Sequence, residues 1–119
     1  KTGAKHAEMV KYFTNCFLAT KVSFANEMYN ICQQLDLDYD KVVEYATYDE
    51  RLGKSHWAVP GPDGDFGYGG HCLPKDLSAI VSEFDTYGLL EAVEQVNDQV
   101  REDRDWEHMV GRAVLEEEE

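Results

Sequence analysis

Apolar residues recur at spacings of three and four along the first third of the chain. The segment from Ala4 to Leu35 contains neither glycine nor proline. Its apolar positions are Met9, Val10, Phe13, Phe17, Val22, Phe24, Met28, Ile31 and Leu35. This spacing predicts one helix of about 30 residues, about 45 Å long. That length exceeds the diameter of a 119-residue domain, so we expect a second protein surface to cover part of the helix.

The middle of the chain is predicted to be mostly irregular. Asp40 is the expected N-cap of a short helix that runs through Ala46. Six glycines and all three prolines then fall between Gly53 and Pro74. Loops of this length inside a compact domain are uncommon and usually functional, so we expect this one to carry a site.

Two further helices are predicted after the loop. The first begins near Pro74 or Lys75 and stops at Gly88, which we expect to act as a C-terminal cap. The second runs from Leu89 toward Arg101, and a short amphipathic segment follows around Trp106, Met109 and Val110. Because no alternating strand pattern exceeds a few residues, the pattern favours an all-α fold with a long helix and several shorter ones. We expect one helical domain over residues 1–115 and a solvated acidic tail over residues 116–119.

Charge and cysteine content exclude several kinds of function. The net charge of −13 disfavours a nucleic-acid partner, which needs basic patches. Residues 83–119 carry 13 acidic and 3 basic residues, against 11 and 8 in residues 1–82. The acidic tail would therefore repel an anionic ligand, whereas the first part would tolerate one near its basic residues Lys11, Arg51, Lys54 and Lys75.

The same composition gives expectations about location and metals. No apolar run approaches the roughly 18 residues of a membrane span and the start of the chain does not resemble a signal peptide, so a cytoplasmic protein without a membrane partner is expected. Three cysteines without CxxC spacing disfavour a disulfide scaffold and a zinc site. We therefore predict no metal.

The glycine-rich segment 66–76 is the strongest candidate for chemistry. It places Cys72 at the end of a loop and just before a helix N-terminus, where free amide groups and the helix dipole favour a thiolate. Asp76, four residues on, is expected to face the same site. The alternative is that Cys72 only fills space in the core and that Asp76 only caps the helix.

Lys11 and Asn15 form a second candidate group. They lie four residues apart and share one face of the long helix, among apolar neighbours. Such a pair either converges on a polar pocket or consists of an exposed lysine and an incidental asparagine. Cys16 and Cys32 are interpreted as core thiols.

Three ordered motifs resemble the UDP-glucose/GDP-mannose dehydrogenase family. They are AEMVKYFTNCFLATKVSFANE at 7–27, YDERLG at 48–53 and GYGGHCLPKD at 67–76. The resemblance implies a central helical domain like the C-terminal domain of 6-phosphogluconate dehydrogenase. It also implies homodimerisation through the long N-terminal helix. Domains that bind the dinucleotide are not found in this sequence, which has no strand followed by GxGxxG, so we expect it to be a piece of a longer enzyme.

The resemblance implies an NAD-dependent oxidation of a nucleotide-linked hexose at C6, from primary alcohol to carboxylate. Cys72 would attack the intermediate aldehyde, and Lys11 and Asn15 would stabilise the oxyanion. Asp76 would position or deprotonate water.

The remaining implied roles concern substrate and cofactor. Arg51 would reach the substrate of the neighbouring subunit, Tyr68 and Gly69 would line the sugar site, and Lys75 would lie near the cofactor phosphates. The loop before Cys72 is longer than in common family members, with residues 60–64 as the apparent extra turn. Contacts of residues 55–65 are therefore not carried over.

Two other functions remain open. We expect the isolated chain to be inactive as an enzyme. The first alternative is that its role is only that of a helical homodimerisation module. A free-standing cysteine-dependent acyl transferase or hydrolase would use Cys72 with His71, but adjacent residues seldom aim both side chains at one substrate. His71 is otherwise a solvent-facing loop residue or a neighbour that tunes the thiolate.

Overall fold

Helices form where the apolar spacing predicted them. The computed structural model describes residues 3–70 and 72–101. Over these residues there is no β-strand, so the all-α prediction is confirmed. The elements are α1 (Ala4–Gln34), α2 (Tyr39–Ala46), a 3-10 turn (Glu50–Leu52), α3 (Cys72–Glu83) and α4 (Leu89–Val100).

The long helix α1 is the support on which α3 and α4 pack. Its small buried residues Cys16 and Ala19 meet Leu77 of α3 and Val93 of α4, and the ring of Tyr68 completes this cluster. Small side chains on α1 let the other two helices approach closely. The core therefore lies between α1 and the α3–α4 pair, directly beneath the glycine-rich loop.

A second apolar cluster holds α2 and the first part of the loop against the other half of α1. It is formed by Ala25, Cys32, Tyr39 and Val59. The Tyr39 hydroxyl donates a hydrogen bond of 2.6 Å to the carbonyl oxygen of Trp57. Both clusters use only part of the apolar surface of α1, since Met9, Val10, Phe13, Phe17, Phe24 and Ile31 remain exposed. Among the described residues, therefore, nothing covers this part of α1.

The predicted start of α2 was wrong by two residues. Asp38, and not Asp40, is the N-cap, because the Asp38 side chain accepts hydrogen bonds from the backbone N–H groups of Asp40 and Lys41. Asp40 instead lies in the first turn, where a negative charge also suits the helix dipole.

The predicted limits of α3 were also wrong at both ends. The helix begins at Cys72, two residues before Pro74. A proline is tolerated in the first turn of a helix, because the backbone N–H groups there have no helical partner and the one that proline lacks is not missed. It ends at Glu83. Gly88 does not cap α3 but precedes α4 as its N-cap residue, with a φ of 106° that favours glycine.

The expectations for the segment around Trp106 and for the acidic tail fall outside the described residues, as does His71. Within the described ranges, no helix is both long and apolar enough to cross a membrane.

Candidate active site

A buried carboxylate on α3 brings together two residues of α1. Asp76 is 1% exposed. The Asn15 side-chain amide donates a hydrogen bond of 2.6 Å to its Oδ2, and the Lys11 ammonium lies 3.8 Å from its Oδ1. The two α1 residues therefore converge on one polar point, as their spacing of four allowed. Lys11 lies at the rim, with its side chain 54% exposed, so the group opens toward solvent on the Lys11 side.

Cys72 lies one helical turn before this carboxylate. It is the first residue of α3, and its side chain is exposed. The interpretation of Cys72 as a core filler is therefore wrong, as is that of Asp76 as a cap, because Asp76 is the fifth residue of the helix. This position at the start of the helix places Cys72 beside backbone amide groups that have no partner within the helix.

The other two thiols are suited to packing. Cys16 and Cys32 are both buried, as expected of core thiols. Burial, with a further contribution from the negative charge of Asp76, raises the pKa of the Cys16 thiol. A raised pKa makes Cys16 a poor nucleophile near neutral pH. Cys72 is thus the accessible thiol of the chain.

The glycine-rich loop is held by two asparagines that sequence reasoning did not single out. Asn26 of α1 accepts a hydrogen bond of 3.0 Å from the backbone N–H of Gly67. Asn97 of α4 accepts one of 2.7 Å from the N–H of Tyr68 and donates one of 3.0 Å to the Tyr68 carbonyl oxygen. Both side chains are buried. The sequence did contain an indication that Asn97 is buried, because this polar residue lies on the apolar face of α4 together with Val93 and Val100.

A cavity of roughly 500 Å³ lies between the two arms of the loop. Its lining comes from residues 55–63 on one side, from residues 67–70 and Leu73 on the other, and from Val22 below. Gly69 lines this cavity. Tyr68 contributes to the wall, but its ring also belongs to the core, and burial raises the pKa of its hydroxyl.

The longer arm of the loop is fastened by a buried arginine at the end of α4. The Arg101 side chain is 1% exposed, and its guanidinium lies 2.6 Å from a carboxylate oxygen of Asp63 and 3.5 Å from one of Asp65. The hydrogen bond from Arg101 lowers the pKa of the Asp63 carboxyl. The apparent extra turn at 60–64 is therefore tied to the helical core.

Arg51 and Lys75 are not part of the Asp76 group. Arg51 lies on the 3-10 turn with its side chain 88% exposed, and it forms a two-pronged pair with Asp49 that includes a contact of 2.6 Å. Arg51 is not among the residues that line the cavity. Lys75 is exposed on α3, next to Asp76 in sequence.

Comparison with known proteins assigns the chain to a family. The family description "UDP-glucose/GDP-mannose dehydrogenase family, central domain" matches residues 5–99. The UDP-glucose 6-dehydrogenase AglM of Haloferax volcanii is 40% identical over 102 residues, which are 82% of this chain and 23% of that protein. TuaD of Bacillus subtilis, also named a UDP-glucose 6-dehydrogenase, is 38% identical over 105 residues, 85% of this chain and 22% of that protein.

A GDP-mannose 6-dehydrogenase of Azotobacter vinelandii is 42% identical over 81 residues, which are 67% of this chain and 18% of that protein. The chain thus spans less than a quarter of the length of these relatives. The match over residues 5–99 agrees with the helical architecture that carries Cys72 and Asp76, and it shows that the chain belongs to the UDP-glucose/GDP-mannose dehydrogenase family, as a central domain.

Proposed function

We propose that this chain is the central domain of an NAD-dependent nucleotide-sugar 6-dehydrogenase of the UDP-glucose type, and that it supplies the cysteine nucleophile. The observation that carries the proposal is the convergence of Lys11 and Asn15 on buried Asp76, one turn after exposed Cys72. A nucleophile, hydrogen-bond donors and a carboxylate are the side-chain groups that suit the oxidation of an aldehyde to an acid when NAD accepts the hydride.

Cys72 would attack C6 of the sugar aldehyde through its sulfur and form a thiohemiacetal. The oxygen at C6 gains negative charge in this step and needs donors nearby. Asn15 uses one of its two amide N–H groups on Asp76, and Lys11 has three N–H donors on a half-exposed ammonium. Both residues therefore keep a donor for the oxygen that becomes charged.

Asp76 would act after oxidation has converted the thiohemiacetal into a thioester. A carboxylate held by Asn15 and Lys11 is positioned to accept a proton from water as the water attacks the thioester carbon. Breakage of the carbon–sulfur bond would then release the acid and return Cys72 as a thiolate.

The chain offers little for the cofactor itself. Its described residues contain no strand that leads through a glycine turn into a helix, which is how dinucleotides are usually held. Lys75 fits a minor role, as an exposed cation on α3 that would attract the cofactor phosphates. NAD, bound mainly by residues outside this chain, would supply the hydride acceptor.

The substrate site would be the cavity between the loop arms. Gly69 and Tyr68 line it on the side of α3, where a hexose would lie close to Cys72. Arg51 is exposed and is not among the residues that line this cavity, and we propose that it serves the site of a second subunit. The parent sugar is proposed by class only, as a hexose linked to a nucleoside diphosphate.

The test uses the longer protein that carries this segment. With UDP-glucose and NAD, the native protein should yield two NADH per sugar and an acid product, measured by absorbance and mass spectrometry. Cys72→Ser should abolish formation of the acid, whereas Cys32→Ala changes a buried thiol that lies outside the site and should retain it. An unchanged NADH yield in Cys72→Ser would refute the role of the nucleophile.

A second role, homodimerisation through α1, is proposed from its exposed aromatic residues. Phe13 and Phe17 are 74% and 58% exposed, although both are large and apolar. Such a patch usually marks a protein interface. Sedimentation at micromolar concentration should give a dimer of the 13.6 kDa chain. Phe17→Glu should dissociate it, unlike Asn30→Glu at an exposed position on another face of the same helix. A native monomer would contradict the proposal.

A further inference from the structure

We infer that Asn97, together with Asn26, positions the backbone that delivers Cys72 to its substrate. The inference rests on the proposed function of Cys72 and deepens it. Neither asparagine is among the residues that line the cavity, so both would act through the loop and not on the substrate. They are therefore positioning residues and not catalytic ones.

Asn97 binds a single loop residue twice. It is 2% exposed, and its amide accepts from the N–H of Tyr68 while donating to the Tyr68 carbonyl oxygen. These two bonds satisfy both backbone groups of Tyr68, as a neighbouring β-strand would in a sheet. A helix side chain thus gives the irregular loop the order that it cannot obtain from secondary structure.

Gly67 is fixed from two sides in the same place. Its φ of 72° lies in the left-handed region, and a Cβ there would overlap Oδ1 of Asn97 and come within 3.1 Å of Val100. On the other side, the Gly67 N–H donates to Asn26, whose own amide is oriented by a hydrogen bond of 2.8 Å to the Val22 carbonyl oxygen. The loop backbone is therefore held between α4 and α1.

The connection from this anchor to the nucleophile is short. Cys72 begins α3 four residues after Tyr68, and Gly69 and Gly70 lie between them. Glycines have the greatest conformational freedom of any residue, so they do not restrict this segment by themselves. The Tyr68 ring packs against Leu77 of α3 and completes the link between anchor and helix. Loss of the Asn97 bonds would let the loop, and the start of α3, adopt additional conformations.

The experiment compares two α4 variants in the longer protein. Asn97→Ala removes the anchor, and Gln95→Ala removes an exposed amide from the same helix. A displacement of about 1 Å at a reacting group lowers rates about 100-fold. We expect kcat of Asn97→Ala to fall by about this factor, with KM for UDP-glucose changed by less than about threefold. Gln95→Ala should keep the native kcat.

A native circular dichroism spectrum would show that Asn97→Ala is folded. If the folded variant had a kcat within twofold of that of Gln95→Ala, the inference would be overturned. Amide hydrogen exchange in the 119-residue chain gives a second measurement that needs no variant. The Gly67 and Tyr68 amides should exchange slowly in the native chain. Exchange at the rate of an unstructured peptide would refute the anchor even if Asn97→Ala failed to fold.

The two proposals fail in different ways. Full acid production by Cys72→Ser would contradict the proposed nucleophile but leave slow exchange at Tyr68 intact. If Cys72→Ser is inactive and folded Asn97→Ala has native kcat, only the positioning role is wrong. In the isolated chain, Asn97→Ala should also change the rate of iodoacetamide alkylation at Cys72 relative to Gln95→Ala, and equal rates would count against positioning.

Discussion

Asn15→Asp is the sharpest test of the polar group around Asp76. The substitution keeps the shape of the side chain but replaces an amide donor with a carboxylate. Its oxygen would face Asp76 Oδ2 at the position where the native Nδ2 lies 2.6 Å away. Because the Asp76 side chain is 2% exposed, water cannot easily separate the two charges.

The magnitude follows from the two interactions that change. A hydrogen bond to a charged group stabilises by about 1.5–3 kcal/mol. Repulsion between two carboxylates about 4 Å apart costs about 4 kcal/mol at an effective dielectric constant of about 20. The nearby Lys11 ammonium, 3.8 Å from Asp76, offsets part of the repulsion. We expect the free energy of unfolding at pH 7 to fall by about 3 kcal/mol or more.

The loss should depend on pH with a definite sign. A proton shared between the two carboxyls would remove the repulsion, so the folded variant would bind it more tightly than the unfolded chain does. The folded state then binds more protons, and stability increases as pH falls from 7 toward about 5. The native chain lacks this paired site, so its increase should be smaller and come only from groups such as Glu94, whose pKa burial raises.

Urea denaturation followed by circular dichroism, from pH 5 to pH 8, measures this effect. Asn30→Asp is the matched control, since it makes the same charge change at an exposed position of α1. If Asn15→Asp and Asn30→Asp gave parallel stability profiles, the close contact between Asn15 and Asp76 would be refuted.

Two further substitutions test the contacts that fasten the loop. In the native chain, the hydrogen bond from Arg101 lowers the pKa of the Asp63 carboxyl, so stability should fall as pH drops below the ordinary aspartate value of 3.8. Asp63→Asn removes this carboxyl and, with it, this part of the pH dependence. Thermal melts at pH 7 and pH 3 should show a smaller drop for the variant, and an equal drop would contradict the pairing. Tyr39→Phe leaves the Trp57 carbonyl oxygen without its 2.6 Å donor, and urea denaturation at pH 7 should show a loss of about 1–2 kcal/mol. Burial raises the pKa of Tyr39 from 10.0 to about 12, so native stability should be lost as pH rises between these values. Alkaline melts should show a smaller loss for the variant, in which only other groups such as Tyr68 contribute. Identical alkaline profiles would exclude a buried Tyr39 hydroxyl.

Local sequence determined most of the helices. The period of three to four residues and the lack of glycine and proline predicted α1 almost to its ends, because helix formation depends on neighbours one turn away. The same local reasoning placed Lys11 and Asn15 on one face and Cys72 at a helix N-terminus. Helix ends were less certain. Both Asp38 and Asp40 suit an N-cap, and a glycine such as Gly88 serves either end of a helix, so only the observed hydrogen bonds and dihedral angles distinguish them.

Contacts between distant residues were decided by the tertiary structure alone. Asn15 and Asp76 are 61 residues apart, and their hydrogen bond exists because α3 packs on α1 through Leu77 and Ala19. The anchoring of the loop by Asn97 likewise depends on where α4 packs, since an asparagine in a sequence does not indicate which backbone it will bind. Periodicity specifies which face of a helix is buried but not which residues that face contacts. The sequence therefore determined the motif that carries Cys72, whereas the packing of the helices determined the polar group of Lys11, Asn15 and Asp76.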